Sequence, residues 1–107
     1  MIEELISLLQ SVVSTGALFH YFASPNTAPP YVVYSEQGQG EIFSADDQQD
    51  EYSTTVTIDI FSKKEKDPLF QQIYTVLNDN DISFYLKSVQ YEPDTGLIHY
   101  EYEADVI

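Results

Sequence analysis

The imidazole groups of His20 and His99 are the side chains of this sequence most suited to proton transfer or metal binding near neutral pH. His20 stands in the bulky apolar run Leu18–Phe22, whereas His99 is surrounded by acidic residues. Neither histidine belongs to a motif that places a second ligand at a defined spacing on one element. We therefore expect His20 to pack against apolar neighbours and His99 to lie on the surface, without a catalytic or metal-binding role.

Carboxylates offer a second kind of chemistry. The densest acidic group lies between Asp46 and Glu51, and its oxygens could attract a divalent cation. This segment lacks the alternating ligands and the terminal bidentate glutamate of a calcium-binding loop. Glu101, Glu103 and Asp105 alternate along a predicted strand, but acid–base catalysis needs two carboxyl groups in different environments. We expect a solvated acidic loop and a solvated strand face.

The parts of other common active sites are also missing. The sequence contains no cysteine, which excludes disulfides, thiolate catalysis and cysteine-based metal centres. It contains no Gly-x-Ser-x-Gly elbow and no phosphate-cradling glycine loop. The sequence therefore predicts no catalytic residue, no cofactor and no metal, and an enzyme is the least favoured class of protein.

The charge of the chain restricts its partners. Its net charge is −14, with 18 acidic residues against four lysines, and three of these lysines (Lys63, Lys64 and Lys66) lie in one predicted loop. Binding to a nucleic-acid backbone or to anionic lipid requires clustered cations, so neither partner is expected. The acidic opening of the chain and the lack of a long apolar run predict a soluble protein made in the cytosol.

The hydrophobic pattern predicts the first half of the fold. Apolar residues recur at helical spacing from Ile2 to Val13, and Gly16 is a suitable terminator. Leu18–Phe22 is interpreted as a strand or an extended packing segment. A loop rich in proline leads into a buried strand at Tyr31–Tyr34, and Gln37–Glu51 is predicted to be a long flexible loop or arm.

The second half alternates strand and helix signals. Tyr52–Phe61 alternates as a strand does, and Asp67 followed by Pro68 predicts the start of a second helix. A hairpin follows, with its turn at Glu92–Gly96. The sequence predicts one α+β domain over residues 1–107, in the order α-β-β-α-β-β. A mostly antiparallel sheet of about four strands would carry both helices on one face.

Tyrosine is abundant, with nine residues in this chain. Its ring is largely apolar and its hydroxyl polar, so it suits both half-buried sheets and protein interfaces. Tyr100 and Tyr102 are expected to face the core. Tyr31, Tyr34 and Tyr52 are candidates for a subunit boundary.

Several of these segments together resemble a known family. They are the amphipathic N-terminal helix, Pro-Pro-Tyr-Val-Val-Tyr at 29–34, Ala-Asp-Asp at 45–47, the strand Thr-Val-Thr-Ile-Asp-Ile-Phe at 55–61 with Ser-Lys-Lys after it, a short helix, and the closing hairpin with Ile-His-Tyr-Glu-Tyr-Glu at 98–103. In this order and in so short a chain, they resemble the tail-completion, tail-terminator or head–tail joining proteins of tailed bacteriophages and prophages.

The resemblance implies a non-enzymatic structural protein of the virion, made in the bacterial cytoplasm and located at the head–tail interface. Tail terminators of this kind form a hexameric ring that caps the tail tube and presents a surface to the head connector. DNA would pass through the lumen of that ring, and the segment 37–51 would be an arm that reaches a neighbour or the tube. The residues expected at such interfaces are Tyr31, Tyr34, Gln39, Phe43, Asp46, Asp47 and Tyr52.

A second class of function also accounts for the charge. A small acidic protein can imitate DNA and inhibit a basic nucleic-acid enzyme. This alternative explains the net charge but not the strand and hairpin pattern, and it predicts a monomer or dimer with a basic partner.

Overall fold

The computed structural model describes residues 2–39, 54–65 and 67–106, with side chains described through Gln37 in the first range. In these ranges the chain forms two helices and a five-stranded sheet, an α+β fold as predicted. The elements in chain order are α1 (Ile2–Val12), β1 (Leu18–His20), β2 (Tyr31–Gln39), β3 (Thr54–Ser62), α2 (Pro68–Asp79), β4 (Ser83–Glu92) and β5 (Leu97–Val106).

Both helices begin and end where local chemistry favours it. Glu3 and Glu4 lie in the first turn of α1, where carboxylates complement the helix dipole. Gly16 adopts a φ of 88° in the turn after α1, a conformation that glycine tolerates best. Asp67 caps α2, and Pro68 occupies its first position. Neither helix in the described ranges is long and apolar enough to cross a bilayer.

The sheet has the strand order β1-β2-β3-β5-β4, so β1 and β4 are its edges. β1 runs parallel to β2, and the other neighbouring pairs are antiparallel. The prediction of about four strands in the order α-β-β-α-β-β was therefore wrong by one strand. A strand of only three residues is too short to show an alternating pattern. The sequence therefore did not distinguish a strand from an extended packing segment at Leu18–Phe22.

The predicted arm at 37–51 also needs correction at its start. β2 continues through Gln39, and a bulge between Glu36 and Gly38 accommodates the change in register against β3. The first residues of the predicted arm are therefore strand. The rest of that segment, from residue 40 onward, lies outside the described residues.

One face of the sheet forms the core beneath both helices. Val56, Ile58 and Ile60 of β3 are fully buried, and Tyr102 of β5 is 1% exposed. They pack with Leu5 and Leu9 of α1 and with Leu69, Ile73 and Leu77 of α2. The alternation of β5 places Tyr100 and Tyr102 in this core, as predicted. The residues that alternate with these buried side chains lie on the opposite face of the sheet, and many of them are polar. We call this face the open face.

Asp67 links the end of β3 to the start of α2. Its Oδ1 accepts a hydrogen bond from the backbone N–H of Leu69 at 2.9 Å, and its Oδ2 accepts one from the hydroxyl of Ser62 at 2.6 Å. Both Asp67 and Ser62 are buried. The carboxylate therefore satisfies two groups that would otherwise have no access to water.

We predict that Asp67→Ala lowers the free energy of unfolding by about 1–3 kcal/mol, because it removes a helix cap and the short hydrogen bond that the buried Ser62 hydroxyl donates to the carboxylate. Urea unfolding followed by circular dichroism measures this loss. Asp94→Ala, at an exposed position of the hairpin turn, is the matched control and should change stability little. Equal stabilities for the two variants would contradict this role of Asp67.

Candidate interaction surface

Large apolar side chains that remain exposed gather at the two edges of the sheet. At the β1 edge, Tyr21 and Phe22 follow the strand directly and are 56% and 79% exposed. At the other edge they lie on β4 and on the adjacent part of α2, and they are Tyr74, Tyr85, Leu86, Val89 and Tyr91. In the described part of the chain, exposed apolar area is therefore concentrated at two separate edges.

At the β4 edge, the helix layer ends before the sheet does. Leu86, Val89 and Tyr91 pair across the sheet with Tyr102, Tyr100 and Ile98, so they point to the helix-covered side. They are nevertheless 43%, 52% and 65% exposed. We call Phe84, Leu86, Val89 and Tyr91, together with Tyr74 of α2, the β4 surface.

α2 reaches the β4 surface through one aromatic contact. The ring of Tyr74 meets that of Phe84 edge-on, with centroids 5.3 Å apart. Beside this contact a groove of about 480 Å³ opens between α2 and β4. Its lining is largely aromatic and includes Phe70, Tyr74, Phe84, Leu86 and Tyr102.

The hydroxyl of Tyr102 is a polar group in this apolar lining. The residue is 1% exposed, and within the described ranges its oxygen has no hydrogen-bond partner. Burial raises the pKa of the Tyr102 phenol, so the hydroxyl stays neutral and can both donate and accept. A buried hydroxyl without a partner is costly, so this oxygen is a destabilising feature of the core beside the groove.

At the β1 edge, backbone geometry turns Phe22 outward. Tyr21 has a φ of 74°, which is unusual for a bulky aromatic residue. The conformation is held by a hydrogen bond from its N–H to the carbonyl of Tyr34 at 2.8 Å and by stacking of its ring on His20 at 3.9 Å. The N–H of Phe22 then bonds back to the carbonyl of His20 at 3.0 Å, which makes a tight turn. A strained residue held in this way favours a functional role for the side chain it displays.

On the open face, His99 lies near the end of β5 that follows the hairpin turn. Its Nε2 lies 2.7 Å from Oδ1 of Asp59, and its Nδ1 lies 3.8 Å from Oε2 of Glu92. The ring stacks on Phe61 with centroids 4.4 Å apart. The side chains of His99 and Asp59 are only 18% and 20% exposed, so His99 is half-buried rather than freely exposed as predicted.

Neighbouring carboxylates of the open face are hydrogen-bonded. Tyr85 donates its hydroxyl hydrogen to Oε1 of Glu103 at 2.8 Å, and Lys87 lies 3.3 Å from the other oxygen. Thr55 donates to Asp105 at 2.9 Å. The prediction of a simply solvated strand face was therefore wrong, because strand register places hydroxyl and ammonium donors beside these carboxylates.

His20 is also placed differently from the prediction. It is exposed and pairs with Glu36, and its ring stacks on Tyr34 with centroids 4.6 Å apart. The side chain occupies the sheet edge, where an imidazole can keep water contact. The apolar character of Leu18–Phe22 predicted interior packing because it did not show that β1 is an edge strand.

The structure separates the residues that were predicted at subunit interfaces. Tyr31 is partly exposed on the open face and stacks on Phe61 at 4.8 Å, whereas Tyr34 is 9% exposed and faces the core. Gln39 ends β2, and Phe43, Asp46, Asp47 and Tyr52 lie outside the described residues. Their interface role stays a prediction.

Neither the β4 surface nor Phe22 was predicted from the sequence. The available signal was the apolar spacing of Phe84, Leu86, Val89 and Tyr91 in a strand next to the hairpin turn. It was not decisive, because the same spacing is typical of a strand that faces the core.

Comparison with known proteins leaves the geometry as the main guide to function. No model of a protein family matches this chain, and no curated protein matches it significantly.

The environment of His99 generates a pH prediction. Its hydrogen bond to Asp59 raises the pKa of His99 above its usual value, against the opposing effect of burial. A raised pKa means that protonation stabilises the fold. The contribution is complete below about pH 6.5 and is lost as the pH rises through the folded-state pKa.

We predict that Asp59→Asn lowers the pKa of His99, measured by NMR titration of the imidazole signals in metal-free buffer. The wild type gains stability when His99 is protonated on acidification, and this gain should be smaller in the variant. Glu36→Gln, which changes the carboxylate beside the other histidine, is the control and should leave the His99 titration unchanged. An unchanged His99 pKa in Asp59→Asn would contradict the assigned pairing.

Proposed function

We propose that this protein is a non-enzymatic structural subunit that assembles with copies of itself, edge to edge, into a closed ring. The observation that carries the proposal is the concentration of exposed apolar area at opposite edges of one sheet. A contact between two different surfaces of the same subunit is heterologous, and repeated contacts of this kind form a ring when the rotation between neighbours closes and an open filament when it does not. A second copy of this chain is the proposed occupant of the β4 surface.

Phe22 is the proposed anchor of this contact. Its ring is 79% exposed at one edge, and the groove at the other edge is large enough and apolar enough to receive an aromatic ring. Among the residues that the structure describes, no strand pairs with the outer side of β4, and that side is a further site for association. The contact combines an exposed ring, an apolar groove and a free strand edge.

The resemblance to phage proteins gives this assembly a biological setting. In that setting the protein terminates the tail tube and joins the tail to the head connector of a tailed phage or prophage, as a hexameric ring at the head–tail interface. Residues 37–51 contribute to contacts with a neighbour or with the tube. The net charge of −14 suits a lumen through which DNA passes without adhering. A lumen lined by Lys63, Lys64 and Lys66 would contradict that last point.

Engineered cysteines test the edge-to-edge contact, because the chain has no cysteine of its own. We predict that the double variant Phe22→Cys/Leu86→Cys forms disulfides between subunits under mild oxidation, and that the products form a ladder ending at one closed species. Non-reducing electrophoresis and native mass spectrometry measure the ladder. Each single variant has no cysteine across the contact and should form at most a dimer, by random collision.

The matched control for this experiment is Phe22→Cys/Gln72→Cys. Gln72 is an exposed residue of α2 that does not line the groove beside β4. Cross-linking of the two double variants to the same extent would show random collision and would contradict the proposed contact.

A deletion tests the biological setting separately from assembly. We predict that removing the gene from the phage or prophage that encodes it yields filled heads beside unattached or overlong tails, because nothing then ends the tube or joins it to the head. Electron microscopy of the particles is the measurement. Rescue by the wild-type gene, but not by a Leu86→Glu variant, would tie the defect to the β4 surface. Intact virions would contradict the tail-terminator role.

One observation supports the alternative function of a DNA mimic. The open face carries carboxylates at alternate positions of β5, namely Glu101, Glu103 and Asp105, spaced about 7 Å apart as same-face residues of a strand are. However, Glu103 and Asp105 are already hydrogen-bonded within the sheet. The alternative also gives no role to the exposed edges. It predicts a monomer or dimer that binds a basic enzyme, and stable rings would exclude it.

A further inference from the structure

We propose that Asp59, His99 and Glu101 form a binding site for one divalent metal ion of the zinc class on the open face of the sheet. This site is independent of the proposed assembly, because it lies on the open face and not on the β4 surface.

Strand register brings the three side chains together. Asp59 of β3 and Glu101 of β5 are direct cross-strand partners, and His99 stands two residues before Glu101 on the same face. One ligand atom from each of the three lies within 4.8 Å of the others. Bonds from zinc to nitrogen or oxygen are about 2.0–2.2 Å long, so two ligands at the tetrahedral angle stand about 3.3–3.6 Å apart. Side-chain adjustments totalling about 1–1.5 Å would therefore close the site around an ion.

Electrostatics gives an independent reason for a cation here. Like charges directly opposite each other on a sheet are destabilising, and the carboxylates of Asp59 and Glu101 occupy such positions. In the described part of the chain, the one lysine in contact with this pair is Lys87, at 3.9 Å from Glu101. Lys87 lies closer to Glu103, at 3.3 Å. A divalent ion between Asp59 and Glu101 would convert their repulsion into attraction.

The orientation of His99 suits a metal ligand. Nε2 points to Asp59, while Nδ1 lies 3.8 Å from a carboxylate oxygen of Glu92. Metal-bound histidines commonly donate the second ring N–H to a carboxylate, which fixes the tautomer and increases the basicity of the ligand. A small movement of the Glu92 side chain would bring its carboxylate within hydrogen-bond distance of Nδ1. Stacking on Phe61 holds the plane of the ring. On binding, the ion takes the place of the Nε2 proton of the imidazolium, which leaves to solvent while Nδ1 keeps its proton and the ligand is neutral imidazole.

The ligand set decides between metals. One imidazole with two carboxylates suits Zn²⁺ or a similar first-row ion, whereas Mg²⁺ and Ca²⁺ prefer oxygen ligands alone. The side chains of the three residues are 18–22% exposed, so water can complete the coordination. We expect Zn²⁺ to bind more tightly than Mn²⁺ or Mg²⁺.

His20 provides an internal control. Its imidazole also faces a carboxylate, Glu36, but its side chain is 41% exposed, and no cluster of three such ligands forms around it in the ranges that the structure describes. A histidine with one carboxylate should therefore bind zinc much more weakly than the three-ligand cluster.

Titration of the wild-type protein with ZnCl₂, followed by calorimetry and native mass spectrometry, tests the site. We expect one zinc per chain, with a weaker signal for MnCl₂ and none for MgCl₂ at the same concentration. Asp59→Asn and Glu101→Gln should each lower zinc affinity by at least about tenfold, whereas His20→Gln should leave it unchanged. Circular dichroism verifies that each variant is folded.

Lys87→Gln provides a second test, because this variant is expected to gain zinc affinity and not to lose it. Because it removes the competing cation, it should raise zinc affinity by about two- to fivefold. Zinc binding that is retained in Asp59→Asn and Glu101→Gln would assign the ion to other acidic residues and overturn the proposal. No stoichiometric binding to the wild type would also overturn it.

Discussion

The one-sided burial of the β3–β5 strand pair is the constraint on which the rest of this structure depends. Val56, Ile58 and Ile60 of β3 and Tyr102 of β5 lie almost completely buried beneath α1 and α2. Because side chains alternate along a strand, this burial sends every intervening residue to the open face. A shift of one residue in register would bury Asp59 and Glu101 and expose the apolar set, so the pairing is strongly specified.

The same constraint creates the two kinds of surface found outside the core. The helices cover the central strands, and α2 touches β4 mainly through Tyr74 and Phe84. The apolar side chains at the far edge, on the same side of the sheet, therefore stay exposed. On the other side, the register that fixes the core also collects Asp59, His99 and Glu101 within reach of one ion. Core packing, the proposed assembly surface and the proposed metal site all depend on one strand pairing.

Local signals made part of this fold predictable. Asp67 followed by Pro68 identified the start of α2, because capping depends on adjacent residues. The alternation from Tyr100 to Val106 identified the core face of β5 for a similar reason. The hairpin turn followed from Gly96, which adopts a φ of 73°.

Features that depend on distant residues were not predictable. β1 exists because it pairs with β2, and a strand of three residues carries little pattern of its own. The exposure of His20 follows from that edge position. The proximity of Asp59 and Glu101 depends on a register that joins residues far apart in the chain. Leu86 is exposed because α2 does not cover it, and the sequence of β4 gives no information about the position of α2.

The mass of the assembly as a function of salt tests the central claim of edge-to-edge association most directly. Each subunit carries a net charge of −14, so repulsion opposes assembly through an apolar contact, and salt should relieve it. Sedimentation equilibrium in NaCl from about 0.05 M to about 1 M, where the Debye length falls to about 3 Å, measures the mass. The account predicts that the wild type gains mass with salt and reaches one closed oligomer, while Leu86→Glu remains monomeric. A wild type that stays monomeric throughout, or a Leu86→Glu variant that assembles equally well, would contradict it.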